Sequence, residues 1–353
     1  MKKSLIALAV LAASGAAMAQ SSVTLFGIVD ATLAFGRGSI ADKNQLTNSG
    51  YNSSRIGFRG TEDLGGGMSA SFWLEAAINN DNGEGGAVGT NNNQVIPATA
   101  AAVRPGTQGL TFARRSTVSL SGGFGELRLG RDYTPQFWNL ANFDPFGYNG
   151  VGTTVVANNQ GGPVAARASN SIGYFLPGNL GGFYGQAQYY LGENLSNAAN
   201  KKDGTGGGVR LGYANGPINV ALAASSTDYL AGDIKAWNIG GSYDLGVARI
   251  MGHYYQDKAG TVKGKGALLG ALVPVGVGQI RFAVSTWKTE AGSNPKANKI
   301  ALGYVHNLSK RTALYTTVAR VNNKGGAAIA LNGSSTGANS NSTGLDIGLR
   351  HSF

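Results

Sequence analysis

Apolar and polar residues alternate along the last eleven residues of the chain. Leu345, Ile347 and Leu349 occupy every second position, and Phe353 falls in the same register. A period of two places successive side chains on opposite faces of a β-strand. The simplest partner for such a strand is the first strand of the same chain, because that pairing closes the sheet into a barrel without free edges.

The same alternation recurs along the whole chain, and one of its two faces carries charge. The first strand covers Val23–Phe35, and in Ser54–Arg59 the apolar Ile and Phe alternate with Arg. A face of Arg, Glu and Thr cannot form a dry core, because unpaired charges there would be too costly. We therefore expect the apolar face to meet lipid and the polar face to line water, as in a membrane barrel. Further segments of this kind are Ser71–Glu75, Thr117–Leu120, Glu126–Leu129, Val220–Leu222, Ile239–Tyr243 and Leu314–Val318.

Short and long connections alternate between these segments. Short turns such as Asp63–Gly67 are followed by long loops such as Gly36–Gly50 and Asp132–Ala166. This pattern is typical of bacterial barrels with tight periplasmic turns and long outer loops. The sequence predicts an all-β fold, a sixteen-stranded antiparallel transmembrane β-barrel. We expect Asp132–Ala166, the third long loop, to fold into the lumen, because a structureless stretch of that length has no place in a compact domain.

Composition favours the same fold. The chain has 353 residues and no cysteine, which excludes disulfides and thiol metal sites. Glycine contributes 56 residues, about twice the usual share, and only 13% of residues are charged. Glycine costs about 1 kcal/mol in a helix, so the mixture suits short strands joined by turns.

The first nineteen residues have the pattern of a secretory signal. Lys2 and Lys3 precede the apolar run Leu5–Ala13, and Ala17-Met18-Ala19 has the form of a cleavage site. The run is too short to span a bilayer. We expect residues 1–19 to be removed and residues 20–353 to form a single barrel domain. Loss of the two lysines lowers the net charge from +11 to +9.

The sequence contains few candidate catalytic residues. The histidines are His253, His306 and His351, and they have neither metal-ligand spacing nor a Ser-His-acid arrangement. We expect no enzyme activity, catalytic residue, metal or cofactor, and no nucleic-acid partner. An outer-membrane hydrolase, or an adhesin that binds a partner through its outer loops, remains as an alternative.

Arginines gather on neighbouring descending strands. Arg55, Arg114, Arg115 and Arg167 fall at similar depth on one wall. Arginine keeps its charge at any relevant pH, so such a wall in a narrow lumen attracts anions. The alternative is that these arginines pair with carboxylates or with lipopolysaccharide phosphates at the rim. Alternation aims Arg115 inward and Arg114 outward unless a bulge intervenes, and both stay candidates.

Acidic groups on the same path are sparse. Glu75 shares the inward parity of Trp73, and Asp144 lies midway along the third loop. We predict that these two acids face the arginines across a constriction whose net charge is positive. A passive channel with anion preference follows, and a substrate-specific channel for phosphate or organic acids is its main rival. Further basic residues that we expect to face the lumen are Arg59, Arg128 and Arg131.

Four segments and the terminal Phe353 resemble the general porins of Gram-negative outer membranes. Ser54–Gly65 (SRIGFRGTEDLG) is similar to the second-strand signature of that family. The other three segments resemble its betaproteobacterial branch, and the likeness is greatest to the anion-selective trimeric porins of that branch. They are RRSTVSL at Arg114–Leu120, FGELRLGR at Phe124–Arg131 and GYVHNLSKR at Gly303–Arg311.

The resemblance implies a sixteen-stranded barrel that assembles as a homotrimer, with a third loop that narrows each pore. It assigns the constriction to Arg55, Arg114 or Arg115, and Arg167, faced by Glu75 and Asp144. The second loop, within Asn79–Gly109, would reach over the adjacent subunit, although its sequence departs from the family pattern. Phe353 would be the signal read by the barrel-assembly machinery. Outer-membrane lipid, lipopolysaccharide and small hydrophilic solutes are the other expected partners.

Overall fold

A single antiparallel sheet dominates the structure. The computed structural model describes residues 22–86, 92, 109–155 and 164–353, and over these residues the sheet contains 18 strand segments. The bounds are β1 Ser22–Arg37, β2 Lys43–Asn48, β3 Arg55–Gly65, β4 Met68–Asn79, β5 Glu84–Gly85, β6 Arg115–Gly122, β7 Gly125–Tyr133, β8 Arg167–Phe175, β9 Phe183–Tyr190, β10 Gly206–Asn215, β11 Ile218–Thr227, β12 Ile234–Asp244, β13 Arg249–Ala259, β14 Val262–Val275, β15 Gly278–Glu290, β16 Lys296–Asn307, β17 Thr312–Lys324 and β18 Ser342–Ser352.

The first and last strands close the sheet into a barrel, as the terminal alternation predicts. Strand β18 pairs with β1 from Ile28↔Ser352 to Arg37↔Thr343. Beyond the ladder, the backbone N–H groups of Gly27 and Phe353 each donate to the other residue's carbonyl at 3.1 Å. Closure leaves no free edge of backbone donors and acceptors, which a membrane interior could not solvate. The predicted pairing of chain ends is confirmed.

Two of the segments do not span the barrel by themselves. Strand β5 is a two-residue ladder beside β4, and β2 pairs with the upper half of β1 while β3 pairs with its lower half. Segments β2 and β3 thus share one position in the wall, and the barrel has sixteen strands. The expectation that Gly36–Gly50 is an outer loop was wrong in part, since Lys43–Asn48 continues the wall. Its sequence, KNQLTN, has too few apolar residues to be recognised as a strand.

The two faces of the wall differ as predicted. Large apolar side chains point away from the barrel and are exposed, for example Val118, Leu211 and Leu302. Polar side chains such as Asp30 and Thr117 alternate with them and are buried on the inner side. Short turns join the strands at one end, and the positive φ angles of Gly65, Gly66 and Gly67 form one of them.

The described part of the third loop, residues 134–155 and 164–166, lies against the inner wall of the barrel. It starts with helix α1, Pro135–Asn142, which begins with proline at its first position. The helix packs against β10, β11 and β12, where Asn139 donates its amide to the carbonyl of Ala221 at 2.9 Å. Asn238 reciprocates from the wall by donating to the carbonyl of Gln136 at 3.0 Å. These contacts place the helix on the side of the wall that faces the lumen, where the inward fold of Asp132–Ala166 was expected.

The described residues that follow the helix, 143–155, lie on a part of the inner wall that is apolar. Phe146, Val151 and Val155 form one buried cluster with inward side chains of β14 to β17. A Cβ atom at Gly270 would lie 2.6 Å from the Pro145 ring, so glycine there permits close approach. The rule that the inner face lines water therefore fails on this side of the barrel. The wall residues of the cluster include Leu268, Ala283, Trp287, Ala297, Ala301, Ala319 and Val321.

Residues 1–19 lie outside the described residues, so the signal remains a prediction. Of the second loop, Asn92 alone is described between residues 86 and 109. Among the described residues, no helix has both the length and the apolar character needed to cross a bilayer.

Candidate pore constriction

The arginine wall forms where three strands begin at the middle height of the barrel. Arg55, Arg115 and Arg167 are the first residues of β3, β6 and β8. The chain enters β3 through residues 49–54, where it leaves the line of β2, and Ser49 takes the left-handed conformation with φ 67°. Each descending strand thus places an arginine at the level where the third loop crosses the lumen.

Glu75 is the acid at the centre of this group. Its Oε1 atom accepts from Arg55 Nη1 at 3.3 Å and from Arg114 Nε at 2.5 Å. Trp73 Nε1 donates to the other carboxylate oxygen at 3.2 Å. The side chain of Glu75 is buried on β4, so the two guanidinium groups compensate the cost of desolvating its charge.

Tyr133 joins the remaining arginine to this group. Its hydroxyl accepts from Arg114 Nη2 at 2.7 Å and from Arg167 Nη2 at 2.8 Å. The Arg167 guanidinium lies 4.3 Å above the Tyr133 ring, a cation–π geometry, and its Nε donates to the carbonyl of Arg114 at 2.9 Å. We call Arg55, Arg114, Arg167, Glu75 and Tyr133 the arginine cluster.

Arg114 and Arg115 both face inward, although strand alternation predicted an inward direction for Arg115 alone. Arg114 precedes β6 in a bend, and strand alternation does not govern its direction. Arg115 begins the strand, and its guanidinium lies 4.7 Å from the Trp73 ring centroid and 3.9 Å from Asp132. Arg114 belongs to the arginine cluster, whereas Arg115 shares the carboxylate of Asp132 with Arg128.

A cavity of about 310 Å³ separates the arginine cluster from the third loop. The loop side contributes Phe137, Trp138 and Tyr148, and the ring of Phe137 stacks on Tyr133 with centroids 5.1 Å apart. The cavity is thus cationic on one side and aromatic on the other. Asn52 and Ser53, from the stretch before β3, complete its lining.

Asp144 does not face the arginine cluster, and that expectation was wrong. The carboxylate is buried inside the third loop, where it accepts from the backbone N–H of Phe146 at 2.8 Å and of Thr154 at 2.9 Å. Thr153 adds a hydroxyl at 3.1 Å. Burial raises the pKa of Asp144, while these donors act in the opposite direction. A short acidic side chain before proline satisfies local N–H groups, so it stabilises the loop conformation.

The other basic residues divide between the two faces. Arg59 lies over the rings of Phe26 and Trp73 on the inner face, and Arg128 pairs there with Glu126 and Asp132.

Arg131 is not on that face, and its expected position was wrong. It lies three residues after Arg128 and shares the parity of the exposed Leu127 and Leu129. Its guanidinium donates to the Ala113 carbonyl at 2.6 Å and to the Ser169 hydroxyl at 2.8 Å.

The sequence reasoning missed Tyr133, Phe137, Trp138 and Tyr148. Tyr133 ends β7 and the other three lie within the third loop, where no periodicity predicts a direction. One feature of the sequence could have indicated them: aromatic residues are dense around Pro135, in a segment that was expected to enter the lumen. No group of three or more acidic or histidine side chains suited to a metal occurs among the described residues.

Comparisons with known proteins agree with this architecture. The family model described as Gram-negative porin matches residues 5–326. The chain is 40% identical over 375 aligned positions to outer membrane porin protein 32 of Delftia acidovorans, with 100% of both chains covered. It is 29% identical to an outer membrane porin protein of Bordetella pertussis, again over 100% of both chains.

A solved structure extends this likeness to the fold. The anion-selective porin from Comamonas acidovorans superposes with a TM-score of 0.81 and 36% identity, covering 95% of this chain and 100% of that one. The family was expected from four sequence segments and Phe353, and the comparisons confirm it. The chain belongs to the family of Gram-negative porins and is a β-barrel of the outer membrane.

Proposed function

We propose that this porin passes small hydrophilic solutes through the cavity beside the third loop and prefers anions. The observation that carries the proposal is the charge balance of the arginine cluster. The cluster holds three guanidinium groups and one carboxylate: Arg55 and Arg114 pair with Glu75, and Arg167 joins them through the Tyr133 hydroxyl. Arg115 adds no net charge, because Arg115 and Arg128 together pair with two carboxylates, those of Asp132 and Glu126. An excess of fixed positive charge in a narrow aqueous passage attracts anions and repels cations.

Partial burial increases the effect of this charge. The Arg114 side chain is 11% exposed and that of Arg55 is 23% exposed, and both line the cavity. Fixed donors in a setting less polar than bulk water interact more strongly with a passing anion. The aromatic side chains opposite supply no charge that would offset them. Similarity to the anion-selective porin from Comamonas acidovorans supports the same conclusion.

Assembly and partners are part of the proposal. Trimeric forms occur among barrels of similar fold, and we propose a homotrimer with one pore in each chain. The exposed apolar outer face contacts lipid, and lipopolysaccharide covers the outer rim. The C-terminal strand ending at Phe353 serves as the signal for the barrel-assembly machinery. We propose cleavage after residue 19, with residues 20–353 as the barrel domain.

Single-channel recording in a planar bilayer under a potassium chloride gradient tests the proposal. We expect conductance that closes in three steps and a reversal potential that favours chloride. A reversal potential that favours potassium would contradict the anion preference while leaving the channel intact. Single-step closure of a chloride-selective pore would contradict the trimer alone.

A further inference from the structure

A second basic group lies on the inner wall near the arginine cluster. Arg281 of β15 alternates with the exposed outer side chains Ile280 and Phe282, and Arg350 of β18 follows the exposed Leu349. Both arginines therefore point inward. Arg281 is the fourth residue of β15, and Arg350 lies two residues before the end of β18.

One aromatic ring holds the two guanidinium groups together. The centroid of the Tyr51 ring lies 4.2 Å from Cζ of Arg281 and 5.2 Å from Cζ of Arg350. Tyr51 is itself fixed, since its backbone N–H donates to Asp30 Oδ2 at 2.9 Å and its ring packs on Tyr315 at 5.6 Å. Two like charges are thus kept close to one ring by the surrounding wall.

Neither guanidinium has an anionic partner at ion-pair distance within the described residues. No hydrogen bond joins Arg281 to those residues, and its buried Nε is unsatisfied. Arg350 donates Nη1 to the Arg311 carbonyl at 3.1 Å and to the Ser352 hydroxyl at 2.7 Å, which leaves its Nε unsatisfied as well.

The nearest acids are already engaged. Asp30 is fully buried and accepts from the N–H groups of Tyr51 and Asn52 and from the Tyr315 hydroxyl. Asp144 is buried among donors of the third loop. Neither carboxylate lies within ion-pair distance of Arg281 or Arg350. An unsatisfied buried donor costs free energy, and two adjacent cations repel. An oxyanion that accepts from both arginines would relieve both costs.

We infer that Arg281, Arg350 and Tyr51 form a second anion-binding site, which takes small carboxylates or inorganic phosphate. Planar guanidinium groups match the oxygens of both. The inference rests on the proposed channel function and adds to that channel a second site at which a passing anion binds. On β1, Arg350 is paired with Asp30 and Arg55 with Ile28, so the two anion sites are close neighbours on the inner wall. Tyr51 and Arg55 lie in one stretch of chain, which links the two sites.

Block of chloride current by malonate tests the site in wild-type protein and in Arg281→Gln. The matched control is Arg249→Gln, which removes the same charge from the inner face of β13 at a similar height, away from Tyr51. We expect Arg281→Gln to raise the half-blocking malonate concentration at least threefold, roughly the loss of one charge-assisted hydrogen bond. Arg249→Gln should change the half-blocking malonate concentration by less than about 1.5-fold.

Equal shifts in the two variants, or no shift in Arg281→Gln, would overturn the site. Tyr51→Phe keeps the ring and should behave as wild type, so a shift there as large as in Arg281→Gln would also contradict it. Each variant is first checked for the wild-type pattern of stepwise closure, which reports folding. Chloride preference of the wild type is measured in the same recordings. Its absence would reject the proposed function, whereas its presence with unaltered malonate block would reject the second site alone.

Discussion

The two sides of the lumen differ in what they offer a loop that enters it. The wall made by β3, β4, β6 and β8 presents the arginine cluster, and its side chains are long, charged and bonded to one another. The wall made by β14 to β17 presents small and apolar side chains such as Ala283, Ala301 and Ala319. Residues 146–155 of the third loop lie on the second wall, so the open passage lies beside the first.

Burial explains which wall the loop covers. Phe146, Val151 and Val155 lose contact with water against the apolar wall, and each such side chain contributes about 1.5–3 kcal/mol when fully buried. Against the arginine cluster the same residues would desolvate charges without replacing their partners. Polar anchors then fix the position, because Asp346 Oδ2 accepts from Val151 N at 2.8 Å and Lys299 Nζ donates to Val151 O at 3.0 Å. The position of the constriction is therefore set by the wall opposite to it.

Removing the apolar contact should have the largest effect. Phe146→Ala deletes a side chain that is 3% exposed and should weaken loop docking by about 3–5 kcal/mol. We expect a larger and noisier single-channel conductance, because the loop leaves the wall. Leu302→Ala, on the outer face of β16, is the control and should conduct as wild type. Unchanged conductance in Phe146→Ala would mean that the polar anchors suffice.

Removing the single acid of the arginine cluster should have the next largest effect. Glu75→Gln leaves Arg55 and Arg114 without their carboxylate, and breaking a buried pair costs about 3–5 kcal/mol. We expect a lower unfolding temperature together with stronger chloride preference, as the net charge of the cavity rises. Thermal melting and the reversal potential measure the two results. A weaker chloride preference would contradict the assignment of Glu75 as the opposing charge.

Removing one arginine should have a moderate effect on selectivity. A unit charge 4–8 Å from a passing anion in water contributes about 0.5–1 kcal/mol. Arg55→Ala or Arg167→Ala should therefore lower the chloride-to-potassium permeability ratio about two- to fivefold. Arg320→Ala, on the outward face of β17, controls for net charge. Arg55 and Arg167 would not belong to the constriction if both variants kept the wild-type reversal potential.

Removing the acid of the loop should have the smallest effect on selectivity. Asp144→Asn keeps the shape of a side chain whose oxygens bond only within the third loop. We expect a change in permeability ratio below about 1.5-fold, since the charge is buried away from the cavity. The reversal potential measures it, and the comparison with Glu75→Gln separates an acid of the passage from an acid of the fold. A change in permeability ratio as large as that in Glu75→Gln would mean that Asp144 does belong to the constriction.

Strand alternation and loop lengths by themselves determined the barrel, its closure and the direction of most side chains. A period of two is a local property that neighbouring residues impose, so Arg55 and Glu75 could be aimed correctly without a structure. The same reasoning gave the correct direction for Arg115. Arg131 was expected to face the lumen together with Arg128, although alternation places it on the same face as Leu127 and Leu129. The family resemblance in Ser54–Gly65 was likewise contained in the sequence.

Only the tertiary structure decided the contacts that no local period governs. Arg114 lies in a bend, β2 is too polar to be recognised, and the third loop has no alternation at all. The position of the third loop depends on the apolar wall formed by strands more than a hundred residues later. Because the loop packs on that wall, Asp144 is buried within the loop and does not line the passage. Tyr51 and Arg281 meet across the closed barrel. Such pairs are set by closure and packing, because they join segments whose distance in sequence carries no information about distance in space.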